Sequence, residues 1–145
     1  MAIQITQTGT RELLARMVGI STTFALPLKL KLFTNRLLDL RPTYMEGTQL
    51  REPLSTTGYA SIDITDWVIA TESGRYVARP AVDKRFNFTS GDFDITGYFL
   101  EANGIIIWSE AFTDVLEDDF ESNIQFHIPT GGGAIIVRPS ISLPI

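Results

Sequence analysis

Six carboxylates fall within twelve residues: Glu110, Asp114, Glu117, Asp118, Asp119 and Glu121. Oxygen ligands at that density suit calcium, which takes about six to eight of them. The spacing matches no EF-hand loop, and the glycine that turns such a loop is missing. Two other readings fit the same residues: a solvated loop that keeps the surface soluble, and a docking patch for a basic partner. Paired carboxylates also perform glycoside hydrolysis at separations of about 5 to 9.5 Å, but among seventeen acids no pair is singled out. Trp67, Tyr59, Tyr76, Tyr98 and Trp108 offer flat faces for stacking on sugars, with core packing as the competing explanation. The single histidine, His127, excludes any mechanism or metal site that needs two. Its expected place is a strand end.

Nucleophile and phosphate motifs are absent: no G-x-S-x-G, no Walker A and no H-E-x-x-H. Gly131, Gly132 and Gly133 lead into a β-rich run and lack the Lys and Ser/Thr of a phosphate loop, so they read as a backbone bend where side chains would collide. Asn87-Phe88-Thr89 matches the glycosylation sequon, which has no use without a secretory signal. The absence of cysteine excludes disulfides, thiolate metal sites and cysteine nucleophiles. No enzyme, cofactor or bound metal is expected.

The elements that must position these residues are mostly strands. One helix is predicted near the start: Thr10 caps it, Glu12 sits in its first turn, Leu13, Leu14, Met17 and Val18 form an apolar face, and Gly19 stops it. From Pro27 to Phe33 leucines alternate with Lys29 and Lys31, the pattern of a strand with one buried face. The two lysines would also discourage edge pairing. Thr34 to Pro53 lacks periodicity and reads as a loop of about twenty residues, long enough to need a purpose. Leu37, Leu38, Leu40, Tyr44, Met45 and Leu50 make it apolar. It folds over the end of its own domain or embraces a neighbouring subunit.

Short strands follow at 59–64, 67–71, 75–78 and 86–89, with a turn at Ser73-Gly74. Residues 94–101 and 105–111 form a hairpin around Asn103-Gly104, the preferred type I′ connection. Strands at 123–128, 134–138 and 140–143 complete the pattern, with Pro139 as a bend. The sum is an all-β fold, an antiparallel β-sandwich of jelly-roll or Ig-like type, with one short N-terminal helix and a long loop at about 34–53. It forms a single domain over 1–145, with 1–22 as helix or arm and 23–145 as the sandwich.

Composition agrees with a contact protein. The chain has 145 residues, a net charge of -5 and 44% apolar residues, with a mean hydropathy of +0.11. That is apolar for a small acidic chain, and part of the excess is expected to meet a partner. Acidity argues against binding nucleic acid or an anionic membrane. Neither a secretory leader nor a membrane span is read in the sequence. Charge is also polarised: residues 1–51 hold seven Lys/Arg and three Asp/Glu, whereas residues 86–145 hold one and nine. Two copies could associate through these opposed halves, or the halves could interleave and cancel within one sandwich.

Several motifs together carry a resemblance. Leu28-Lys29-Leu30-Lys31-Leu32-Phe33-Thr34-Asn35 precedes a long variable loop and Thr57-Gly58-Tyr59-Ala60. Phe86-Asn87-Phe88-Thr89, Ile95-Thr96-Gly97-Tyr98-Phe99-Leu100 and Ile107-Trp108-Ser109-Glu110-Ala111-Phe112 follow. Last come Ile128-Pro129-Thr130-Gly131-Gly132-Gly133 and Ile136-Val137-Arg138-Pro139. In order and spacing this resembles small virion structural proteins of tailed bacteriophages, over nearly the whole chain after residue 10. The resemblance implies a non-enzymatic β protein made in the host cytoplasm and placed on the virion, at the capsid surface rather than the tail. It implies a capsid decoration, or cement, protein that bridges major capsid protein subunits as a homo-oligomer such as a trimer. The alternative is a tail or fibre module, contacting tail proteins and binding host carbohydrate through Trp67 and the tyrosines. The expected interface comprises the helix face (Leu13, Leu14, Met17), the apolar arm (Leu37, Leu38, Tyr44, Met45) and the acidic patch (Asp114, Glu117, Asp118, Asp119). The chain departs from the family pattern at 36–53 and 114–121, where partner specificity would be written.

Overall fold

A computed structural model describes residues 2–5, 27–34, 50–102, 104–115, 121–123 and 125–144. The predicted helix at 10–19 and most of the long loop lie outside the described residues. Within them the chain is all-β and antiparallel, and the helical content is one 3-10 turn at Ser55–Thr57.

The strands run in chain order as β1 (Ala2–Ile5), β2 (Leu28–Phe33), β3 (Ile62–Ile64), β4 (Trp67–Glu72), β5 (Arg75–Pro80), β6 (Lys84–Phe88) and β7 (Phe93–Ile95). After these come β8 (Gly97–Ala102), β9 (Ile105–Ala111), β10 (Thr113–Val115), β11 (Glu121–Asn123), β12 (Phe126–Ile128), β13 (Gly133–Val137) and β14 (Ile141–Pro144). A five-stranded sheet has the order β1-β9-β8-β2-β3, and a three-stranded sheet the order β14-β5-β4. The remaining strands pair as β6 with β13, β7 with β12 and β10 with β11.

The hairpin β8–β9 is the spine of the larger sheet. Its register runs from Gly97 opposite Ala111 to Ala102 opposite Ile105, with a bulge at Leu100/Glu101, and Gly104 in the connection has φ +80°. Both faces of this pair are covered. On one side lies the main core, built from Leu30, Leu32, Ile64, Tyr98, Leu100 and Trp108 of the five-stranded sheet. Phe86, Phe88, Ile95, Ile128, Ile135 and Val137 of the strand pairs complete it. A smaller cluster of Phe33, Leu50, Phe99, Ile106 and Ala111 forms a separate core. Double coverage explains why Gly97–Leu100 and Ile105–Trp108 read as near-continuous apolar runs, whereas β2 alternates. Each fully buried side chain of this kind contributes roughly 1.5–3 kcal/mol.

Leu30 and Leu32 point into the core as the alternation predicts. The role expected for the lysines differs, because β2 lies between β8 and β3 rather than at an edge. Lys29 instead pairs with Asp63 on β3 at 2.8 Å, and Lys31 with Glu101 on β8 at 3.2 Å. These cross-strand ion pairs help set the register on the polar part of the sheet.

Three predicted strands are shorter or broken. The run 94–101 splits at Thr96, whose N–H and Oγ1 donate to the carbonyl of Phe33 at 3.0 and 3.2 Å, while its own carbonyl accepts from the N–H of Phe112 at 2.9 Å. At that residue the chain passes from the β12 ladder to the five-stranded sheet. The next position must be glycine: a Cβ on Gly97 would overlap the Phe33 ring and the carbonyl of Glu110. Gly97→Ala should therefore lower stability by about 1–3 kcal/mol in urea unfolding. An unchanged midpoint would mean that both the Phe33 ring and the β9 backbone at Glu110 give way, and that glycine is not required there.

The run 123–128 divides into β11 and β12. In 59–64 only Ile62–Ile64 is strand, because the Tyr59 ring stacks on Phe86 and Phe88, at 5.9 and 6.3 Å between centroids. Its hydroxyl accepts from the N–H of Leu32 at 3.1 Å and donates to Glu52 at 2.8 Å. Of the three consecutive glycines, only Gly132 meets the collision expectation: its φ is +87°, and a Cβ would strike the Phe88 carbonyl. Gly131 faces open space. The long loop leaves and returns at one point, since the N–H of Thr34 donates to the carbonyl of Arg51 at 2.8 Å.

Candidate interaction surface

Most residues expected at the interface lie outside the described set: Leu13, Leu14, Met17, Leu37, Leu38, Tyr44, Met45, Glu117, Asp118 and Asp119. Asp114 is on β10, opposite Ser122 of β11. Glu110 does not belong to the acidic surface run at all. It sits on β9 opposite Tyr98 and is only 4% exposed. Burial pushes its carboxyl above the usual range, partly offset by a hydrogen bond from the Tyr98 hydroxyl. The Tyr98 phenol is raised in turn, chiefly by burial and then by the Glu110 charge. Alternation along β9 explains the placement, because Glu110 shares a face with Trp108, two residues away. Among the described residues no group of three or more His, Asp or Glu is placed to hold a metal ion.

The five-ring platform is not assembled. Tyr98 and Trp108 are buried in the main core, Tyr59 and Trp67 pack against it half-buried, and Tyr76 alone is largely exposed.

Among the described residues, three of the seven exposed large apolar side chains lie on the hairpin β4–β5. Its base packs inward: Pro80 is fully buried, and Trp67, which faces it across the hairpin, lies against the core. Further along the same face, Ile69 is 72% and Tyr76 54% exposed, with Val68 on the opposite face 37% exposed. Ser73 and Gly74 close the hairpin with φ values of +49° and +72°, the left-handed pair that a two-residue connection of this kind needs. Ion pairs mark the two ends of β4. Asp66 Oδ1 meets Lys84 Nζ at 2.8 Å, and Glu72 Oε1 meets Arg79 Nε at 2.9 Å. The Lys84 ammonium holds the Asp66 carboxyl below its ordinary range. Sequence reasoning read Trp67–Thr71 as a strand but missed the surface, although the run Trp-Val-Ile-Ala lacks the polar alternation of a one-sided strand.

A second feature is a cleft of about 360 Å³ lined by Thr34, Arg51–Leu54, Thr57 and Gly91–Phe93. Asp92 on its rim adopts φ +69°, and its N–H donates to the carbonyl of Ile128 at 2.6 Å. Beside it His127 Nδ1 lies 2.8 Å from Asp94 Oδ1, its cross-strand partner, and Nε2 lies 3.9 Å from Asp92. The imidazole is thus on the middle residue of β12 rather than at the strand end expected, between two solvated carboxylates. Searches against protein-family models, curated proteins and solved structures find no match to this chain.

Proposed function

We propose that this chain is a structural protein of a tailed-phage particle whose role is capsid decoration, binding and bridging major capsid protein subunits at the capsid surface as a homo-oligomer. The observation that carries the reading is the display of large apolar side chains on a well-packed β body. Leu54, Ile69, Val82, Ile136, Tyr76 and Phe126 are all between 45% and 72% exposed, and contact area of that kind is what a binding surface requires. The motifs that resemble phage virion proteins supply much of the core, including Leu30, Leu32, Phe86, Tyr98 and Trp108. The fold is read as an antiparallel sandwich with the five-stranded sheet as one layer. Supporting this, the main core draws residues from that sheet and from β6, β7, β12 and β13.

Particles stripped of this protein should lose resistance to heat and to chelators, and regain it when the purified chain is added back. Stripped particles that remain as resistant as intact ones exclude the cement role. Gold labelling of the chain should decorate heads, and labelling confined to tails overturns the capsid assignment.

A further inference from the structure

We propose that the open edge of β4 pairs with the same edge of a second copy of this chain, antiparallel about a two-fold axis through Ile69. Among the described residues β4 has a strand partner on one side only, since it ends the order β14-β5-β4. An unpaired edge offers a row of N–H and C=O groups whose natural occupant is another strand. Proteins blunt such edges with shortness, lysine, proline or a bulge. The six residues of β4, Trp-Val-Ile-Ala-Thr-Glu, have none of these, and their register with β5 is unbroken. Two of the other outer edges are treated differently: β3 has three residues with the Lys29–Asp63 pair across it, and β14 ends in Pro144.

The geometry selects a second copy. In a two-residue hairpin the pair flanking the turn exchanges both backbone hydrogen bonds, so Glu72, Ala70 and Val68 bond to β5. Trp67, Ile69 and Thr71 then turn their N–H and C=O groups outward. A two-fold axis perpendicular to the sheet keeps each face on its own side, so residues of equal parity must meet. Centred on Ile69, it sets Ile69 against Ile69 of the second copy and Trp67 against Thr71, and all the outward backbone groups find partners. The exposed Ile69 side chains are covered by each other, and the stripe continues through Ala78 and Tyr76 on β5.

At the ends of the paired strands Asp66 comes opposite Glu72 of the second copy. These are like charges, but each carboxylate already holds its own cation, Lys84 or Arg79, which reduces the repulsion between them. A strand edge of this length buries less than the roughly 1,200 Å² of a stable dimer. Free chains therefore associate weakly, and pairing becomes extensive at high concentration or where copies are held together on a particle.

This contact deepens the homo-oligomer part of the reading above, and it is tested without particles. The chain has no cysteine, so Ile69→Cys introduces the only thiol, and the proposed axis brings two of them within disulfide reach. Oxidation of the concentrated full chain should yield a covalent dimer with Ile69→Cys. Val82→Cys, at a site 65% exposed and off the edge, should yield much less. Sedimentation equilibrium should show self-association that Ile69→Lys weakens about tenfold or more, through like charges at the axis, with circular dichroism and unfolding midpoint unchanged. Equal cross-linking at the two positions, self-association indifferent to Ile69→Lys, or a chain that is monomeric at every concentration overturns the proposal. If Ile69→Lys abolishes particle binding by a chain that is monomeric alone, the edge belongs to a different partner, and self-pairing fails while the particle role stands.

Discussion

Truncating Trp108 to alanine should lower the unfolding free energy by about 3–5 kcal/mol, the loss typical of a large aromatic removed from a packed interior. Trp108 lies opposite Leu100 at the centre of the five-stranded sheet, only 5% exposed. Its neighbours in the main core come from several strands, so collapse around the missing ring would have to move more than one of them. The indole N–H makes no hydrogen bond with the described residues. Trp108→Phe, which keeps an aromatic ring in the core and removes that unsatisfied donor but leaves a smaller cavity, should cost less. Urea unfolding of both variants beside Tyr76→Ala, expected within about 0.5 kcal/mol of the parent because its ring is exposed, separates a core role from a sugar-stacking one. An alanine variant at position 108 as stable as the parent would refute the core assignment.

Glu110→Gln should make the protein more stable at neutral pH, by an amount on the order of 1 kcal/mol. The amide retains an oxygen that can accept from Tyr98, and it removes the cost of keeping a charge away from water. The sign follows from the raised carboxyl of the folded state. A group whose pKa is higher folded than unfolded contributes stability that is complete below the unfolded value and is lost as pH rises through the folded one. The parent should therefore match the variant near pH 4 and fall behind it as the carboxyl ionises. Unfolding curves from pH 4 to 8 test this directly. A variant less stable than the parent at pH 7 would mean that an opposing positive charge depends on the ionised form.

These two residues also show what could be read before the structure. The hairpin 97–111 was legible because an Asn-Gly turn between two apolar runs has few alternatives. Burial of Tyr98 and Trp108 followed from it, since a sheet must cover at least one face. Glu110 was misread because its neighbours in sequence are acidic, whereas its environment is set by the two-residue period of β9. The break at Thr96 had no local signal: alternation continues through it, and only the carbonyl of Phe33, sixty-three residues away, turns the chain there. Likewise the lysines of β2 look like edge protection until Asp63 and Glu101 arrive from other strands. Local pattern reveals strands well, while partners distant in sequence decide which strand sits beside which.

The meeting of Thr34 with Arg51 has a consequence for how such a chain can diversify. Both the N–H and the hydroxyl of Thr34 donate to one carbonyl, at 2.8 and 3.2 Å, so the departure and return points of the segment between them are fixed by the sheet. Closing a longer excursion costs only about 0.6 kcal/mol for each doubling of its length. Changes in chain length between residues 35 and 49 therefore cost little in closure, provided that Leu50 keeps its place in the smaller core. The sheet thus offers a junction at which recognition sequences of different lengths can be tried between two fixed anchors.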